Sequence, residues 1–252
     1  MNADISGLAL AFLVSAGLAV GQTMNTVNNP ARIEVYITPY YNSAGPSIYA
    51  GSTGPSIYVG PFSKGLSATN DTEFVATISK MKESWNNLKF PEMYVGAICL
   101  YDRGFRNEAV YWFYSAQYRS RLVASLLDQA KMGSIGDPGF ELAHAANSFQ
   151  QLVGLYINGY AFGHIDDLAL VLERVQKEGK TVPDLNRVYP GVSFKSRSAW
   201  EMLNKELNDG LSGLLETVKE QRADIKQQRV ESGIEARFSK LTSKELPNGS
   251  SH

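Results

Sequence analysis

The chain has 252 residues, a formal net charge of -1, 44% hydrophobic residues and a single cysteine. That length supports a full hydrophobic core in one domain, with room for a small appendage. The near-zero charge removes any bulk electrostatic case for nucleic acid or an anionic membrane surface. The apolar content argues against wholesale disorder, and one cysteine excludes an intrachain disulfide.

Residues 7–20, GLALAFLVSAGLAV, form an apolar run interrupted only by Ser15. The run falls short of the about 20 residues that a bilayer span needs. It has the length of a signal-peptide core, and Ala19 and Gly21 are suitably small for cleavage before Gln22. Residues 1–6 carry Asp4 and no lysine or arginine, whereas a signal normally starts positive, so an upstream start and a buried helix stay open. The expectation is a signal peptide over 1–21 and a periplasmic or secreted mature chain with no stable membrane span. The alternative is a cytoplasmic chain, or one anchored by residues 7–20.

Residues 22–66 are expected to form a β- and turn-rich lead-in. Residues 32–38, RIEVYIT, alternate polar and apolar and read as a short half-buried strand ending at Pro39. An internal repeat follows: GPSIYAG at 45–51 is echoed by GPSIYVG at 54–60. Each copy reads as a turn, a short extended piece and another turn. A small duplication in a surface loop is favoured over a hairpin that presents Tyr49 and Tyr58 to a partner. Two copies are too few for a solenoid.

From residue 67 to 243 the pattern is helical, with about six helices expected. Asn70 and Glu73 make a capping-box-like start, and Phe74, Ile78, Met81, Trp85 and Leu88 follow at helical spacing. Pro91 suits the start of a second helix and Gly104 its left-handed end. The third is expected from Asn107 to Met132, and the fourth from Asp137–Pro138 to Gly159. A fifth runs from Asp166 to Lys177, with a loop over 179–197. Ser198 and Glu201 form a second capping box, opening a long helix through Leu203, Leu207, Leu211, Leu214, Val218 and Ile225. Val230, Ile234, Phe238 and Leu241 continue as a thinner stripe that packs on a partner or projects. Residues 244–252 are expected to be a disordered tail. The fold class is therefore mainly α, built of antiparallel helical hairpins with a short β-rich N-terminal segment.

Within residues 92–127 lies a denser pattern: Ala97, Leu100, Tyr101, Gly104, Ala109, Trp112, Phe113 and Ala116. Ala109 and Ala116 are seven apart and share a helix face, with Trp112 between them. Small residues there, with Gly96–Ala97 opposite, let two helices approach closely. This skeleton resembles one Sel1-like repeat, a relative of the tetratricopeptide repeat. The resemblance covers about 35 residues and lacks the longer acidic turn and the closing glycine of that family, where Tyr118, Arg119 and Ser120 stand instead. It implies a helical hairpin that binds proteins or peptides. Arg103, Arg106, Arg119 and Arg121 surround the aromatics, a composition favoured at binding hot spots. The candidate protein-binding residues are therefore Tyr111, Tyr114, Tyr118, Arg119, Arg121, Arg103 and Arg106. Most of the aromatic run is expected to be core, with at least one of Tyr111, Tyr114 and Tyr118 pointing off it.

Catalytic signals are sparse. No metalloprotease, nucleophile-elbow, phosphate-loop or dinucleotide motif occurs. Cys99 sits in an apolar run and reads as a packed, inert thiol. His144 reads as a satisfied histidine, and basic residues are interleaved with acids along the last helix, against nucleic acid. His164, Asp166 and Asp167 set a histidine beside two carboxylates where a helix begins, though such starts favour Asp regardless. The expectation is a non-catalytic, exported protein whose partner is another protein and which needs no cofactor. An immunity or inhibitor protein that caps a toxin's or effector's active site is one form of this. The alternative is a hydrolase or metal-dependent enzyme built on His164, Asp166 and Asp167.

Overall fold

The computed structural model describes residues 27, 29–33, 37, 40–42 and 56–247. The apolar run at 7–20, the first GPSIY copy and residues 248–252 lie outside them. The described part is mainly α. A two-residue strand β1 (Tyr41–Asn42) pairs antiparallel with β2 (Ser56–Ile57), with Tyr41 opposite Ile57. Four helices follow: α1 (Ser63–Leu66), α2 (Asp71–Glu83), α3 (Phe90–Asp102) and α4 (Arg106–Leu126). After a loop come α5 (Pro138–Ala161), α6 (Ile165–Gly179) and the short α7 (Leu185–Val188). The chain ends with α8 (Arg197–Glu220), α9 (Arg222–Glu231) and α10 (Ile234–Phe238). Six of these have 13 residues or more, and they are the six that the sequence pattern announces. Among the described residues no helix is long and apolar enough to cross a membrane.

Helices α3 and α4 form the centre. From Phe90 to Tyr101 every residue of α3 except Glu92 is buried, so α3 has no solvent face and its near-continuous apolar sequence follows. The α3 end is a Schellman motif: Phe105 N–H donates to Leu100 O, Gly104 N–H donates to Tyr101 O, and Gly104 has φ +88°. The chain then turns back into α4. A Cβ placed on Gly96 would lie 2.5 Å from the Trp112 ring, so only glycine lets the indole lie against the α3 backbone. Trp112 is fully buried and donates Nε1–H to Glu108. Helices α3, α5, α6 and α8 all pack on α4.

Several boundaries differ from the sequence pattern. Asn70 caps α2 as expected, accepting from Glu73 N–H at 2.7 Å. α4 ends at Leu126, not Met132, because Leu127 bridges to Phe194 and Lys195 N–H donates to Leu126 O. Pairing with that segment satisfies backbone groups the helix would otherwise have bonded. α8 starts at Arg197 after Ser196, whose side chain makes no cap; the Ser198 hydroxyl instead lies 3.0 Å from that of Ser196. The expected long last helix breaks at Gln221, and Gly233 (φ +74°) separates α9 from α10. Ile234 and Phe238 pack on the chain's own body. Of the strand expected over 32–38, Arg32, Ile33 and Ile37 are described and none of them is in a strand. The described lead-in is thus irregular chain with one two-residue pairing, not a β-rich segment. Its second GPSIY copy buries Ile57 and exposes Tyr58.

Candidate functional site

The candidate binding residues on α4 are placed around its whole circumference. Tyr111 donates to Glu178 of α6 at 2.6 Å, stacks on Trp85 and lies under the Arg174 guanidinium. Tyr114 donates to Asn158 of α5. Tyr118 reaches Gly179 O and the Asn204 side chain of α8. The three are 3%, 2% and 6% exposed, so the expectation that at least one points off the core is overturned. A helix aromatic on all sides is one enclosed on all sides, and here each ring meets a different neighbouring helix. Arg119 is buried as well, donating to the carbonyls of Trp85 and Leu88. Arg121 is half-buried, and burial lowers its guanidinium to about 10, still charged at neutral pH. Cys99 is buried, and burial pushes its thiol up, away from reactivity.

Arg103 and Arg106 sit instead at the turn between α3 and α4. Arg103 stacks on Phe74 at 4.2 Å, pairs with Asp71 and donates to Ala68 O, which fixes the start of α2. Arg106 faces two non-helical stretches at once, the turn at residues 30–32 and the chain beyond α10. Its Nη1 donates to Thr242 O at 2.5 Å and its Nη2 to Ala31 O at 3.3 Å. On the lead-in side, Asp102 accepts from Ile33 N–H at 2.6 Å and Tyr101 donates to Pro30 O at 2.7 Å. On the other side, Lys244 N–H donates to Gly104 O at 2.8 Å, and its ammonium lies 5.7 Å from the Phe105 ring centre. Ser243 Oγ accepts from Asn107 N–H at 2.9 Å. The residue before α4, Phe105, provides no side-chain cap, so Ser243 does this from more than a hundred residues away. Lys244 and Leu246 therefore belong to the packed part of the chain, and the boundary expected at residue 243 moves outward.

Asn107 links this turn to a second feature. Its side-chain oxygen accepts from Tyr160 Oη at 2.7 Å and its amide donates to Asp167 at 3.4 Å. Asp167 lines an open depression of about 510 Å³ at the start of α6, along with His164, Asp166, Arg222, Lys226, Arg229 and Glu235. Gly163 lines it, and Gly159 lies one turn earlier. A Cβ on Gly159 would run into the Phe238 ring, and one on Gly163 would lie 2.9 Å from Arg229 Nη2. The groove they leave admits the α10 phenylalanine and the α9 arginine. Arg229 donates Nε–H to Glu235 and Nη1–H to Gly159 O.

The sequence cluster His164, Asp166 and Asp167 does meet in this depression, but its members diverge. Asp166 pairs with Arg222, Asp167 takes the Asn107 amide, and His164 packs at a tilt on Tyr160, ring centres 4.5 Å apart. Among the described residues no three His, Cys, Asp or Glu side chains converge as metal ligands. Sequence reasoning missed Arg229, Lys226, Asn107 and Ser243. Only the glycine pair at 159 and 163 hinted at a close approach, and nothing in the sequence says what approaches.

No family model matches the chain, and no solved structure matches it. Over 145 residues it is 26% identical to an uncharacterized protein of Haemophilus influenzae. The match covers 58% of this chain and 52% of that protein, so the chain spans about half the length of the curated relative it matches.

Proposed function

We propose that this chain is a non-catalytic, exported protein-binding protein, and that the turn between α3 and α4 grips an extended segment of its partner. The observation that carries this reading is Arg106, which bonds backbone carbonyls of two non-helical stretches at once, Ala31 in a turn of the lead-in and Thr242 beyond α10. With Gly104 O and Asn107 N–H beside it, the turn offers a donor fork, a carbonyl acceptor and a helix start that takes its cap from Ser243. Such groups recognise backbone, as strand-adding peptide sites do. Residues 241–246 occupy the place a partner's peptide would take. The resemblance to a Sel1-like hairpin adds weight, because hairpins of that class bind proteins or peptides. Capping a toxin or effector would use the same edge.

The test is a chain ended at Lys240, titrated with a labelled peptide of residues 240–247 and followed by fluorescence anisotropy. Saturable binding that Arg106→Ala abolishes supports the reading. No binding to the shortened chain, with its fold intact by circular dichroism, overturns it. Export rests on residues 7–20 alone. Intact mass of the native material is expected to show a start at Gln22, and a mass retaining residues 1–21 would refute the cleavage.

A further inference from the structure

The arm that follows α8 is anchored only at its far end. No residue from Lys219 to Gln228 is buried. Beyond them, Arg229 donates to Gly159 O, Phe238 fills the groove over Gly159, and Ser243 caps α4 through Asn107 N–H. The break between α8 and α9 has no local cause. Residues 214–231, LLETVKEQRADIKQQRVE, contain no glycine, proline, asparagine or serine and are rich in strong helix formers. Gln221 provides no side-chain cap for α9. The helical ladder holds on either side of it, with Gln221 N–H donating to Thr217 O and Ile225 N–H to Gln221 O. Ile225 stands seven residues after Val218, so on a straight helix it would extend the buried stripe of Leu207, Leu211, Leu214 and Val218. At the bend stands the exposed Arg222–Asp166 pair, a weak contact. The bend is thus imposed by the anchors at the arm's end, against what the local sequence prefers.

We propose that the chain exchanges this arm with a second copy of itself. α8 and α9 straighten into one helix, and residues 234–246 of each copy seat on the Gly159 groove and the α3–α4 turn of the other. The partner so named rests on reading that turn as a peptide site. A straight helix would run about 15 Å past Gln221, carrying Phe238 away from its own Gly159. Every contact at the arm's end is then remade between copies, so exchange loses none of them. It adds the helical bonds from the amides of Arg222, Ala223 and Asp224 to the carbonyls of Val218, Lys219 and Glu220. What opposes it is the lost freedom of two separate chains, so the exchanged form grows with concentration.

The experiment mixes two full-length chains at high concentration under mild oxidation, one carrying Asn107→Cys and an affinity tag, the other Ser243→Cys. Asn107 N and Ser243 Oγ lie 2.9 Å apart, and buried Cys99 stays out of the reaction. A tagged–untagged disulfide dimer is expected on a non-reducing gel, with neither chain alone giving its own dimer. A single chain carrying both substitutions serves as the reference. If that chain cross-links within itself but the mixture gives no mixed dimer, exchange is overturned and the peptide site stands. If it forms no cross-link at all, the turn does not hold residues 241–246, and both readings fall. Light scattering after gel filtration provides a second measurement on the unmodified chain. The two-chain share is expected to rise with concentration, and Gln221→Gly, which disfavours the straight helix in both copies, to weaken association about 10-fold. A wild type that stays a single chain throughout, or a dimer that Gln221→Gly leaves as strong, overturns the proposal.

Discussion

Around α3 and α4 the contacts are apolar and aromatic almost throughout. Gly96 meets Trp112, Trp85 packs edge-on to Trp112 at 4.9 Å, and Tyr94 stacks on Phe149 of α5 at 4.8 Å. The chain beyond α10 is held differently. α10 still packs Ile234 and Phe238 on the core, but residues 241–246 return to the α3–α4 turn mainly through backbone and hydroxyl hydrogen bonds. Close-packed apolar contact is lost only when the whole core opens. A hydrogen bond nets only about 1 kcal/mol, because water replaces it when it breaks. The central hairpin should therefore open with the global transition, and the C-terminal stretch well below it. On the proposed function, that separation would let the α3–α4 turn exchange its occupant while the core stays folded.

The largest expected effect is on the hairpin side and comes from alkali. Burial raises Tyr94, Tyr101, Tyr111, Tyr114 and Tyr189 far above the ordinary tyrosine value, and raises Tyr40 and Tyr118 to about 12. The folded state therefore favours the neutral phenols. The stability they contribute is complete below about pH 10, the unfolded value, and is lost as pH rises from there through 12 and beyond. Helicity by circular dichroism and tyrosinate absorbance should change together in one cooperative step. Nearly the full tyrosinate amplitude of all 13 tyrosines appearing near pH 10 with helicity unchanged would mean that these rings are exposed, and the comparison would fail.

Next in size is Trp112→Ala, expected to cost about 3–5 kcal/mol by chemical denaturation, because a fully buried indole is removed from a site that cannot collapse. Gly96→Ala should cost less, about 1–3 kcal/mol, since its new methyl overlaps the ring and one element must shift. If Gly96→Ala melted like the wild type, the close approach of the two helices would be refuted.

The hairpin was legible because each of its rules is local. Gly104 marks a left-handed end, Ala109 and Ala116 share a face, and Asn70 with Glu73 marks a start. The orientation of the aromatics was not legible: Tyr111, Tyr114 and Tyr118 differ in direction, and only the positions of α5, α6 and α8 decide that every direction is buried. Trp112 could be assigned to the core from spacing alone because its partner, Gly96, lies in the adjacent helix. The C-terminal contacts were illegible for the opposite reason. Ser243 and Lys244 look like any polar tail, and their bonds to Asn107 and Gly104 span more than a hundred residues. The His164, Asp166 and Asp167 cluster was visible as neighbours in sequence, but the cations that face it, Arg222, Lys226 and Arg229, come from α9, about sixty residues later.

The smallest effect separates the two regions most directly. Ser243 caps α4 through Asn107 N–H, so Ser243→Ala removes one cap and should cost about 1 kcal/mol. If residues 241–246 open independently of the core, that cost falls on the local opening, not on the global one. The melting temperature should then barely move, while hydrogen exchange at Asn107 and Lys244 N–H should quicken about 5-fold, the equivalent of that energy. The packing of Trp112 on Gly96 gives no such escape: a destabilisation at either residue must appear in the global melt. A Ser243→Ala chain whose melting temperature falls by as much as its local exchange energy rises would show that the C-terminal segment unfolds only with the core. The turn would then have no route to release residues 241–246, and a partner's peptide could not take their place.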